Sequence, residues 1–252
     1  MKLWALKRQA VGLSIFSVVV LSVVGYGLYS VLSKTSCTDG KQNGDEKGPD
    51  CGGSCPTTCL IEKPKPPRLL WSRVFTVADG LYDVGALVEN INLYTGSSRA
   101  QYEFKLYDQN NVLLGKRTGT VLLFPRQKIF VYEPQLVTNT KRATRVEFTI
   151  DVPEWERIEG GDAIEMSVLK KSFTFDPYPI VHVSLLNQAI FVESNFEVDV
   201  LLERADGTVY AASRTNIEQM RDHEQKDLVF TWPQSIFDAP ANIVVLYRRT
   251  SR

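Results

Sequence analysis

YEFKLYDQNNV, residues 102–112, decides how the rest of the chain is read. Tyr102, Phe104 and Leu106 alternate with Glu103, Lys105 and Tyr107, which is the period of a strand with one face buried. Asp108 to Asn111 then supplies a turn, and Val112 begins the next strand. Phe104 and Leu106 are expected on the inward face, with Asp108 opening the turn.

Working outward, the same period recurs. Val146, Phe148 and Ile150 alternate with Arg145, Glu147 and Thr149, and further strands are expected over Leu70–Val77, Tyr82–Glu89, Val112–Leu123 and Lys128–Glu133. Short strands at close spacing, divided by turn signals and without helical periodicity in this region, argue for an antiparallel sandwich. The plan then repeats. Phe196, Val198, Val200 and Leu202 alternate with Glu197, Asp199, Leu201 and Glu203, and Ala205 to Thr208 supplies a hairpin turn. Leu228, Phe230 and Trp232 precede Pro233-Gln234, as Phe130 and Tyr132 precede Pro134-Gln135; Ile243, Val245 and Tyr247 close the second copy. The expectation is an all-β ectodomain of two tandem immunoglobulin-like sandwiches, residues 69–152 and 162–250, with a hinge near Asp151 to Gly161.

Upstream the composition changes. Ala10 to Leu32 (AVGLSIFSVVVLSVVGYGLYSVL) carries no charge, and as a helix it reaches about 34 Å, enough to cross a hydrocarbon core of about 30 Å. A cleaved signal peptide has a shorter apolar region, so the reading is an uncleaved anchor over residues 10–32. Lys2, Lys7 and Arg8 precede it, which puts residues 1–9 in the cytoplasm and the rest outside the cell membrane. Lys34 to Ser36 before Cys37 does not suit a lipobox, and the apolar segment lacks the early glutamate of type IV pilins.

All four cysteines, Cys37, Cys51, Cys55 and Cys59, fall in residues 33–60, a segment rich in Gly, Asp and Asn with almost nothing apolar. Such a segment buries no core and needs covalent links, so two disulfides are expected, with three pairings open. The spacing lacks the paired C-x-x-C knuckles of zinc sites. Asp39, Asn43, Asp45, Glu46 and Asp50 offer hard oxygen ligands suited to calcium, although not at EF-hand spacing, and the competing reading makes them turn formers. The pattern C-x-D-G-x-x-N-G-x-E-x-G-x-D-C-G-G-x-C resembles a cysteine-rich motif of surface-exposed and secreted bacterial proteins. Residues 61–68, with Pro64, Pro66 and Pro67, read as an extended spacer.

Phe104-Lys105-Leu106-Tyr107-Asp108, with Val88 to Asn90 upstream and Gly119 to Pro125 downstream, resembles the FxLYD family of bacterial extracytoplasmic domains. That resemblance covers residues 72 to 151. It implies a small membrane-tethered immunoglobulin-like sandwich without known catalysis, in which Phe104, Leu106, Tyr107 and Asp108 are structural. The second repeat keeps the alternation and loses the named residues.

Charge and motifs narrow the function classes. Twenty-nine basic and 29 acidic residues cancel, which leaves no electrostatic footprint for nucleic acid. The two histidines, His182 in a strand and His223 in a polar stretch, lack partners at ligand spacing, and no P-loop, nucleophile elbow or H-E-x-x-H string occurs. The expectation is no enzyme, no catalytic residues and no cofactor beyond calcium. The expected role is non-catalytic binding or structure at the cell surface, toward an envelope protein partner, through loops Asn90–Ala100 and Asn216–Lys226 or a strand edge. The alternatives are an accessory subunit of an envelope assembly, docking through the anchor with Gly25 and Gly27, and an extracytoplasmic enzyme with an unrecognised site.

Overall fold

The computed structural model describes residues 2–32, 36–59, 63–139, 141–158, 164–175, 178–232 and 239–250; side chains of residues 2–11, 28 and 30–32 are outside that description. The chain divides into two compact units, Met1–Ile61 and Glu62–Arg252.

In the first unit, helix α1 (Lys2–Leu32) runs unbroken through the apolar stretch, and its described side chains from 12 to 27 are exposed, Leu21 and Tyr26 among the most open. Among the described residues no helix is long and apolar enough to cross a membrane. The cysteine segment that follows contains no strand longer than a single bridge between Gly48 and Cys51. Its fold rests on two interlaced disulfides, Cys37–Cys55 and Cys51–Cys59, which select one of the three open pairings. Close backbone approach demands glycine at Gly53: its φ is +61°, and a Cβ there would lie 2.2 Å from the Asp45 carbonyl oxygen.

The second unit is all β. Strands β1 (Arg68–Ala78), β2 (Leu81–Glu89) and β5 (Lys128–Val137) form one sheet in the order β1-β2-β5. Strands β3 (Thr95–Tyr107), β4 (Leu113–Leu123) and β6 (Arg145–Asp151) form the facing sheet, β4-β3-β6, and the short β7 (Glu156–Arg157) pairs with the start of β3. The second copy has β8 (Met166–Phe175), β9 (Pro179–Asn187) and β12 (Gln225–Thr231) in the order β12-β9-β8, facing β10 (Glu193–Glu203), β11 (Val209–Met220) and β13 (Asn242–Arg249) in the order β11-β10-β13. Strand for strand the two orders are the same, and all pairings are antiparallel.

Each sandwich closes over its own core. Phe104 and Leu106 are fully buried with Val84, Ala86, Val131 and Leu123, and Phe148 lies 4.7 Å from Phe104 ring to ring. Phe196, Val198, Val200 and Leu202 do the same in the second copy with Val181, Val183 and Leu185. Burial of several side chains of this size, at about 1.5–3 kcal/mol each, is what offsets ordering of the backbone.

Several expectations are corrected. The Asn90–Ala100 loop is only residues 90–94, because Thr95 already pairs in β3; the Asn216–Lys226 loop is only Arg221–Glu224, because β11 runs to Met220 and β12 starts at Gln225. Pro134-Gln135 does not end a strand: β5 continues to Val137 across a bulge opposite β2, and Gln135 takes a positive φ of 59° there. Part of the expected hinge is tied down, since Gly96 pairs with Glu156 and Thr95 with Arg157. Gly160, Gly161, Pro233 and Gln234 lie outside the described residues.

Candidate functional site

Opposite faces of two sheets meet between the sandwiches. The outer face of β1-β2-β5 gives Trp71, Phe75, Leu87, Phe130 and Tyr132; the outer face of β11-β10-β13 gives Leu201, Val209, Ala212, Val244 and Leu246. Together they make an apolar join. Gly85 belongs to it, because a Cβ there would strike the Phe130 ring at 2.3 Å.

Charges are sealed into the same join. Arg214 on β11 donates to both carboxylate oxygens of Asp199 at 2.6 and 3.1 Å and reaches Glu197 at 3.1 Å, while Arg248 on β13 reaches Glu197 at 2.5 Å. Arg214 also donates to the Phe130 carbonyl across the join at 2.9 Å, with its guanidinium over the Tyr132 ring. Two acids against two arginines leave the cluster neutral, the arrangement in which buried charge is tolerable. Burial pushes the Asp199 carboxyl up, with Arg214 pulling against it, and the Arg214 guanidinium is held charged by Asp199 despite its own burial. Tyr102 donates to Glu133 at 2.6 Å and Tyr132 donates to Asp83; burial followed by these carboxylates raises both phenols.

Beside the join lies a cleft of about 760 Å³, within the range of ligand sites. One wall is the continuous run Ser72–Val77 of β1 with Thr144–Val146; the other is Arg204 and Thr208–Ser213, with Thr231 and Trp232. Trp232 is fixed by its indole N–H, which donates to the Ala212 carbonyl at 2.9 Å. Arg73 lies 5.7 Å from the Trp71 ring, Arg204 lies 4.7 Å from Tyr210, and Arg145 lies 4.3 Å from Tyr107. The one acidic residue among the described lining, Asp83, already accepts from the Tyr132 hydroxyl and the Gln135 amide. The described lining is thus cationic, hydroxyl-bearing and aromatic, and it contains neither histidine nor cysteine.

The residues singled out from the sequence lie elsewhere. Asp50 accepts from the amides of Asp39 and Gly40 at 2.8 and 2.7 Å; Asp39 accepts from the Lys41 amide and the Asn43 side chain; Glu46 accepts from the Asn43 amide; Asp45 accepts from Ser54. Their oxygens are turned toward local backbone and side-chain donors, the work of turn residues. Among the described residues the group that gathers at metal-ligand distance is Cys37, Glu46 and Cys55, whose sulfurs are spent in a disulfide. In the FxLYD string, Asp108 accepts from the amides of Asn110 and Val112, and Tyr107 donates to Glu147 at 3.0 Å. His182 is exposed in β9, and His223 takes a positive φ in an exposed turn.

Sequence reasoning missed two matched residues. Asn90 and Asn187 are both fully buried at the end of the second strand of their copies. Asn90 donates to the carbonyls of Thr95 and Phe124 and accepts from the Asn92 amide; Asn187 donates to those of Phe191 and Arg221 and accepts from the Ala189 amide. Each pins one loop to the neighbouring turn, and aligning the two repeats strand by strand would have paired them. The loops they pin carry exposed apolar side chains, Leu93 and Tyr94 in the first and Ile190 in the second, the last 85% exposed.

No family model and no curated protein matches the chain. Among solved structures, red sea bream transglutaminase is matched at 14% identity over 72% of this chain and 29% of that protein, with a TM-score of 0.26. The chain therefore spans under a third of that protein's length, and likeness at this level carries no argument about activity.

Proposed function

We propose that this chain is a membrane-anchored envelope protein that holds a double sandwich outside the cell and uses the inter-sandwich cleft as a non-catalytic binding site. The observation that carries the reading is the join itself: the apolar contacts and the Arg214 cluster make the two cleft walls one body, so the opening keeps its shape without a ligand. The exposed apolar helix, residues 12–27, supports the anchor over residues 10–32, and two disulfides suit an oxidising exterior. The FxLYD resemblance of residues 72–151 is in keeping with such a tethered sandwich.

A second reading, an accessory subunit docking laterally through the anchor, draws on open space around Gly25 and Gly27, where another helix could approach closely. A photo-crosslinking residue placed in the full chain at Thr76 or Thr208, in the cleft, at Arg117, on an outer strand, and at Gly25, on the apolar helix, separates the readings in native envelopes. Adducts from the cleft positions alone are the expected result. Adducts only from a probe at Gly25 would move the function into the membrane, and the cleft reading would fall.

A further inference from the structure

The cleft has a feature that points to the shape of its ligand. β1 is an edge strand, paired on one side with β2 alone, and six consecutive residues of it, Ser72 to Val77, line the cleft. Beyond the ladder with β2, no backbone hydrogen bond of residues 72–77 is made among the described residues. On an edge strand, alternate residues turn their N–H and C=O away from the ladder, and these groups are a template for another strand. The opposite wall differs. β11 is also an edge strand, yet its Ala212 carbonyl is already taken by the Trp232 indole. Among the described residues one edge is open and the other is capped.

Charge narrows the choice further. Arg73 on the open strand and Arg204 across the cleft are each stacked near an aromatic ring, and neither makes an ion pair among the described residues. Asp83, the only acid among the described lining residues, is engaged by Tyr132 and Gln135. An extended segment pairing with β1 would pass two guanidiniums that are free to take carboxylates.

Resting on the cleft as the binding site, we propose that its ligand is an extended acidic polypeptide segment that adds as a strand to β1. Backbone pairing along Ser72–Val77 supplies the affinity, and Arg73 and Arg204 select acidic side chains, a division of labour general to strand addition. Six paired residues correspond to about 20 Å of extended peptide.

The test uses the full chain in detergent micelles and a fluorescein-labelled heptapeptide alternating Glu and Val, followed by anisotropy. Saturable binding is expected. It should weaken by about tenfold or more in the Arg73→Gln/Arg204→Gln double variant, or when the probe's Glu residues are changed to Gln. Methylating alternate backbone nitrogens of the probe should abolish binding, and this arm leaves the protein untouched, so it stands even if the arginine variant folds poorly. Equal binding of the methylated probe, no saturable binding at millimolar peptide, or displacement by a polyuronate oligomer at comparable affinity would each overturn strand addition. Cleft adducts from Thr76 and Thr208 alongside an inert peptide would discard this ligand and keep the binding site; neither adducts nor peptide binding would discard both.

Discussion

β3 and β10 are the same strand in two copies of one fold, and their outward faces have opposite fates. On β3, Glu103 sits in water between Lys105 and Lys116, whose ammonium groups hold its carboxyl low. On β10, the outward Asp199 is only 1% exposed, and burial pushes its carboxyl up. The first sandwich offers its β1-β2-β5 sheet to the join and leaves its β4-β3-β6 sheet to solvent; the second offers the sheet equivalent to the one left free. The joined surfaces are therefore unlike. A charged outward face does not by itself mean a solvent face, because two acids and two arginines can enter a join as a neutral set.

The largest effect should come from breaking that set. Arg214→Met leaves Asp199 buried without its partner and Glu197 with Arg248 alone, at a cost of about 3–5 kcal/mol in denaturant unfolding. A cost near zero would mean that the join opens to water, and the contrast between β3 and β10 would vanish. Next come the loop pins. Asn90→Ala and Asn187→Ala each strand buried carbonyls and an amide, and each should cost about 1–3 kcal/mol. Similar losses would support equivalence of the copies, and a large difference between them would argue against it.

Alkaline titration gives a smaller effect. Tyr102 and Tyr132 have phenols raised above the unfolded value of about 10, so the folded state keeps its protons longer than the unfolded chain does. Stability from these groups is fully present below pH of about 10 and declines as pH rises toward the folded values. Melting temperatures followed upward from pH 9 should fall, and the Tyr102→Phe/Tyr132→Phe variant should fall less steeply. Glu103→Gln should be the mildest change, with an unchanged unfolding midpoint, since it removes only exposed pairs. A loss matching Arg214→Met would sink the comparison.

Much of the fold is legible because alternation has a local cause. Phe104, Leu106, Val198, Val200 and Leu202 are buried where a period of two places them, and Asp108 turns the chain with its own side chain. Strand limits were less legible. Thr95 to Ala100 and Asn216 to Met220 look like loops because polar residues dominate, yet cross-strand hydrogen bonds extend pairing through them. The cleft was not legible at all: Arg73, Arg145 and Arg204 belong to three strands or strand ends, and only packing brings them together.

By itself the sequence determined that the chain beyond residue 68 alternates as two copies of one strand plan, and that an apolar uncharged stretch and four clustered cysteines precede them. These follow from spacing along the backbone, where side-chain direction is set by the residue next door. Tertiary structure alone decided which cysteines pair, which outward faces meet and which strand edge is left open. Each of those depends on which groups the folded backbone brings within reach, and at the join that approach is governed by shape and by cancellation of buried charge.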